Sequence, residues 1–200
     1  MVDMKPDGAA RGPGRPREER VTGAVLTAVV DLVTEQGIGA VTMDAVASRA
    51  GVSKPAMYRR WPTKQDLIIA AAESRLGPLS VPDLGDFRAE LRFVLSARLE
   101  TYRLPGSGRL IAGLIGAAAE AGAAGGQYAE YTERITSETR RILERGIARG
   151  DVDPDTDVRA AATLVAAPLL FRLIGEREMP ESRFVDALVD LVARAVAPAA

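Results

Sequence analysis

Residues 42–66 read Thr-Met-Asp-Ala-Val-Ala-Ser-Arg-Ala-Gly-Val-Ser-Lys-Pro-Ala-Met-Tyr-Arg-Arg-Trp-Pro-Thr-Lys-Gln-Asp. Thr42 has the chemistry of an N-cap, and Asp44 falls in the first turn behind it, where the helix dipole favours an anion. The short helix that follows should end at Ala50, with Gly51 as the turn residue. Ser53 is placed to cap the next helix. Pro55 is tolerable there because backbone N–H groups in a first turn lack intrahelical partners. Pro62 should stop this helix after Trp61, and Thr63-Lys64-Gln65-Asp66 opens another with a capping-box pattern. Two short helices joined by a tight glycine turn are the layout of a helix-turn-helix.

The second of these helices has two faces. At about 100° per residue, Lys54, Pro55, Tyr58 and Arg59 fall within an arc of roughly 140°, while Met57 and Trp61 fall together elsewhere. Met57 and Trp61 can therefore anchor the helix as the other four face outward. Two cations, a phenol and a small ring suit a phosphate-lined groove. A plain helical hairpin with a solvated basic face would show the same spacing.

Around this stretch the apolar residues keep helical periodicity. Val21, Val25, Ala28, Val29, Leu32 and Val33 predict a first helix closed by Gly37. Gly77-Pro78 and Pro82 mark a break. Beyond it, stripes at Phe87, Leu91, Val94, Leu95 and Tyr102, at Leu110, Ile111, Leu114 and Ile115, and at Tyr131, Ile135, Ile142 and Gly146 predict three helices. Asp151-Val-Asp-Pro-Asp reads as a turn. Residues 156–174 and 181–196 predict two strongly apolar helices. No strand alternation and no repeat appear, so the expected fold is all-α. It divides into an arm at 1–16, a three-helix DNA-binding domain at 17–75 and a helical domain at 76–200.

Composition narrows the function. The 200 residues contain no cysteine and no histidine. Disulfides and thiolate metal sites are excluded, and the commonest general base is missing. No Gly-rich phosphate loop is present, so an enzyme has little to build on, and neither cofactor nor metal is expected. Net charge is −1, yet residues 1–64 hold ten Lys/Arg against seven Asp/Glu. The positive end is thus the end that carries the helix-turn-helix. The acidic remainder argues against an architectural DNA-binding protein, which spreads positive charge widely. No apolar run reaches the roughly 18 residues of a membrane span, and the N-terminus lacks the apolar stretch of a secretory signal. No membrane partner and a cytoplasmic location are expected.

Residues 42–66 resemble the DNA-binding signature of the TetR family. The resemblance rests on Thr42, Ala45-Val46-Ala47, Ala50-Gly51-Val52-Ser53, the Tyr58 and Trp61 pair, and Lys64 followed by Leu67. It is specific over about residues 17–75. It implies that Thr42, Tyr58 and Lys64 hold phosphates, and that Ser53, Lys54, Pro55 and Arg59 approach bases or the adjacent backbone. The family often has glycine or a small polar residue where Pro55-Ala56 stands, so apolar contact with a thymine methyl is the expected use of Pro55. Gly14-Arg15-Pro16-Arg17 looks like the core of an AT-hook, with Arg15 and Arg17 suited to a narrow minor groove. A solvated tail would have the same composition.

The resemblance further implies a homodimer through the last two helices on a duplex operator. Ala161, Ala162, Val165, Leu169, Leu188, Leu191 and Val192 are the apolar candidates for that interface, unless they are ordinary core. It also implies a small-molecule pocket among the central helices, near Leu95, Arg98, Tyr102, Leu114, Tyr131, Ile135 and Phe171. The expected function is a repressor released from a palindromic operator by a ligand of unspecified chemistry. A ligand-insensitive DNA-binding dimer is the alternative.

Overall fold

The structure, a computed structural model, describes residues 15–121 and 126–199. Among the described residues there are helices and turns and no strand. Helix α1 (Arg15–Gln36) buries Val25, Val29, Leu32 and Val33 along one stripe. It ends where Gly37 takes φ +87°, a backbone state that costs other residues more. A 3-10 turn, Ile38–Ala40, leads to α2 (Met43–Ala50), α3 (Lys54–Tyr58) and α4 (Lys64–Leu76).

The chain continues through α5 (Phe87–Arg103), α6 (Ser107–Ala121), α7 (Gly126–Arg149), α8 (Val158–Leu170), a π-helical turn at Phe171–Gly175, and α9 (Ser182–Ala195). α4 packs on α1 and also on α6 and α7, so it belongs to both halves of the molecule. α5 lies between α7 and α9. At Gly146, a Cβ would come within 2.6 Å of Val152 Cγ2. This close approach lets the turn after α7 fold Val152 into the core, where it is fully buried.

Four expectations are corrected. First, Arg15 and Pro16, expected in a flexible arm, open α1 together with Arg17. A proline is tolerated in a first turn, and Glu18 there suits the dipole. Their side chains, and residues 1–14, lie outside the described residues.

Second, regular α-helix in the recognition segment stops at Tyr58, before Trp61. The backbone still bonds through to Trp61, whose N–H donates to the Met57 carbonyl at 2.8 Å.

Third, the predicted interface residues are mostly protomer core. Ala161, Ala162, Val165, Leu169, Leu188 and Val192 are buried against neighbouring helices, and only Leu191, 58 % exposed, faces outward. α8 is apolar on nearly every side, so periodicity could not separate its inner from its outer stripe.

Fourth, Val158–Gly175 is long and apolar enough, by length and composition, to cross a membrane, with mean hydropathy 1.6. Arg159 and Arg172 interrupt the run near its ends, which is why an unbroken count missed it. Phe171, Leu164, Ala160 and Ala167 form its exposed face.

Candidate functional site

The helix-turn-helix is assembled by short-range hydrogen bonds. The Thr42 hydroxyl accepts from the Ala45 N–H at 3.1 Å and keeps its own proton available for a phosphate oxygen. Gly51 takes the left-handed conformation, φ +66°, that ends α2 and turns the chain into α3. Arg49 bridges to Glu35 at 2.6 Å, tying α2 to α1. The guanidinium holds the Glu35 carboxyl below its ordinary pKa.

Ser53 occupies the N-cap position of α3 with extended backbone, but its side chain makes no cap hydrogen bond. The hydroxyl is free to reach outward. Met57 and Trp61 are 1 % and 6 % exposed and pin α3 into the core. Ser53, Lys54, Pro55, Tyr58 and Arg59 are all exposed, Tyr58 by 48 %. Arg59 makes no ion pair among the described residues. Its neighbour Arg60 is instead tied across to α1, donating to the Glu18 carbonyl at 3.3 Å and to the Thr22 hydroxyl. It also stacks over Trp61 at 5.9 Å. Two adjacent arginines thus have different jobs, one outward and one structural.

One contact was missed by sequence reasoning. Lys54 pairs with Asp44 at 2.7 Å across the two helices, and that hydrogen bond raises the Lys54 pKa. Asp44 therefore fixes the ammonium on the exposed face as well as placing a negative charge in the first turn of α2. At the start of α4 the capping box is complete. Asp66 N–H donates to Thr63 Oγ1 at 3.1 Å, and Thr63 N–H donates to Asp66 Oδ2 at 2.9 Å. Lys64 follows as the first helical residue, half-buried. Its stem lies in a groove with Ile38, Ile68 and Arg109.

A second candidate site lies between α4, α5, α6 and α7. A cavity of about 30 Å³ is lined by Leu76, Arg98, Tyr102, Ile111, Leu114, Ile115, Ile135 and Leu170. The structure thus brings together Arg98, Tyr102, Leu114 and Ile135. Leu95 is buried at 3 % but does not line the cavity. Phe171 is 64 % exposed and does not line it. The Tyr131 side chain lies outside the described residues. Leu76, Ile111, Ile115 and Leu170 were not among the expected residues; Ile111 and Ile115 come from the same α6 stripe as Leu114, unlike Leu76 and Leu170. The latter two enter because α4 and the end of α8 close the space from helices remote in sequence.

Comparison with known proteins bears on both sites. A family profile described as "Bacterial regulatory proteins, tetR family" matches residues 25–71. A second, described as "Tetracyclin repressor-like, C-terminal domain", matches residues 81–192. The HTH-type transcriptional regulator YdeS of Bacillus subtilis is 31 % identical over 166 residues, covering 80 % of this chain and 82 % of its own. The crystal structure of the TetR family transcription regulator SCO0332 superposes with TM-score 0.67 at 29 % identity, over 90 % of this chain and all of that one. The transcriptional regulator FadR from Bacillus subtilis, in complex with stearoyl-CoA, shares the fold with TM-score 0.67 at 15 % identity, over 87 % of this chain and 98 % of its own. With an outward-facing recognition helix and matches over both of its halves, the chain belongs to the TetR family of HTH-type transcriptional regulators.

Proposed function

We propose that the protein is a cytoplasmic repressor that binds a palindromic operator as a homodimer and leaves it when a small molecule enters the regulatory domain. The observation that carries this reading is the outward face of α3. Ser53, Lys54, Pro55, Tyr58 and Arg59 are presented together by a helix whose other face is locked by Met57 and Trp61. Thr42 and Lys64, at the starts of α2 and α4, flank that face as phosphate contacts. Arg15 and Arg17, at the start of α1, are candidates for the adjacent minor groove.

The dimer surface is read from what α8 and α9 leave uncovered. Leu164, Phe171 and Leu191 are 48 %, 64 % and 58 % exposed. Ala160, Ala167 and Ala187 continue these stripes. Contiguous apolar area of this kind on a soluble monomer marks an interaction site. Burial against a second copy also accounts for the apolar length of Val158–Gly175 without a membrane. Ligand control is supported by the cavity and by its direct contact with α4, which begins at Lys64.

A footprint on DNA upstream of the gene, with and without a metabolite extract, tests this reading. Protection that the extract abolishes is expected. Protection indifferent to the extract would favour the ligand-insensitive dimer. A second expectation concerns Lys64. Lys64→Ala should weaken binding to all sequences alike and make the slope of log affinity against log salt shallower by about one unit. If preference at one base position relaxed instead, Lys64 would be a base contact.

A further inference from the structure

The cavity among α4–α7 has one polar corner, and that corner is wired to the DNA-binding unit. Arg98 lines the cavity. Its Nη1 also donates to the Leu76 and Gly77 carbonyls at 2.7 and 3.2 Å. Leu76 is the last residue of α4. A cation at a helix C-terminus satisfies orphan carbonyls and complements the dipole, so Arg98 latches the end of α4.

Tyr102 lies one turn further along α5. It is only 7 % exposed, lines the same cavity, and has no hydrogen-bond partner among the described residues. Its hydroxyl is available to an acceptor bound in the cavity. Burial pushes its pKa up to about 12, so at neutral pH it is a donor. The remaining lining, Leu76, Ile111, Leu114, Ile115, Ile135 and Leu170, is apolar.

We propose that the effector is a small amphiphile with an apolar body and one carboxylate, received by Arg98 and Tyr102. This rests on the reading of the protein as ligand-controlled and names the ligand class and the switch. A carboxylate is a stronger acceptor for a guanidinium than two neutral carbonyls are, because both partners are then charged and the contact can be bidentate. Its arrival recruits Arg98 from Leu76 and Gly77 and leaves the end of α4 uncapped. The cavity of about 30 Å³ holds roughly one water. A ligand must therefore part the surrounding helices to enter, α4 among them. Binding then favours the open, unlatched arrangement over the closed one, and this inequality is what lets a ligand shift an equilibrium. α4 carries the change to Lys64 at its other end.

The test uses the full chain and three probes of one shape: 3-phenylpropanoate, 3-phenylpropanamide and 3-phenylpropylamine. Calorimetry gives affinity, and fluorescence anisotropy on a duplex selected by the protein gives release. The acid should bind at least about tenfold tighter than the amide, the amine should not bind, and the acid should release the duplex. Arg98→Gln should bring the acid's affinity down to the amide's, and Arg98→Lys should fall between. Tyr102→Phe, which removes only an unpartnered hydroxyl, should narrow the acid-to-amide ratio by about threefold. A purely structural Arg98 would not move that ratio.

Equal binding and equal release by acid and amide would overturn the carboxylate assignment while leaving ligand control standing. Acid preference with no release of the duplex would overturn the latch. No binding by acid or amide at millimolar concentration would overturn the assignment too.

Discussion

Replacing Leu164 and Leu191 together by glutamate should yield a monomer of about the 21.2 kDa chain mass. It should also lower operator affinity by about 10²–10⁴-fold. The two residues are 48 % and 58 % exposed on the outer faces of α8 and α9, so the substitution leaves the protomer core untouched. In the dimer, each would place a charge in a buried apolar contact with no partner, which is costly. The effect on DNA is larger than the local change suggests. A dimer that has docked one recognition helix holds the second at high effective concentration, and losing that linkage forfeits two to four orders of magnitude. Sedimentation checks mass, and anisotropy checks affinity. A variant that still sediments at twice the chain mass would place the interface elsewhere.

Glu90→Ala should destabilise the regulatory domain by about 3 kcal/mol, with a midpoint on the order of 10 °C lower. Glu90 is fully buried. One carboxylate oxygen accepts from the Leu84 N–H at 3.0 Å and from Arg149 at 3.2 Å, and the other meets Arg145 at 3.2 Å. Arg149 also reaches Asp83 and Asp151, at 3.2 and 3.0 Å. The carboxylate thus fastens the connection before α5 to the C-terminal end of α7. Removing it leaves a backbone N–H and two guanidinium groups short of an acceptor. Arg145 and Arg149 side chains are 26 % and 24 % exposed, which lets water soften the loss and sets the figure at the lower end. Thermal unfolding with Glu90→Gln alongside checks it, since glutamine keeps an acceptor and should lose less.

These cases show what a sequence can and cannot display. The helix-turn-helix was legible because its signals are local. Thr42, Gly51, Pro62 and the Thr63–Asp66 box act on residues within one turn, and the Met57/Trp61 face follows from helical spacing alone. Glu90 sits in the same apolar stripe as Phe87 and Leu91, and its arginines come from 55 and 59 residues downstream. No local pattern announces such a pair. Arg98 stands out in the sequence as a polar handle for a ligand. Its grip on the end of α4, 22 residues upstream, follows from tertiary packing. The Lys54–Asp44 pair escaped because it spans two helices whose crossing had to be seen. On α8 the failure was different. With apolar residues on most sides, Ala161 and Val165 look no different from Leu164 and Phe171 until neighbouring helices cover one set.

The central claim is that two α3 helices read a two-fold symmetric duplex. Selection of bound sequences from a random duplex pool, followed by calorimetric stoichiometry on the enriched site, tests it most directly. The account predicts an inverted repeat whose half-site centres lie about one helical turn apart or a multiple of it, bound by two protomers per duplex. Enrichment of a site without two-fold symmetry, saturated by one protomer, would contradict it.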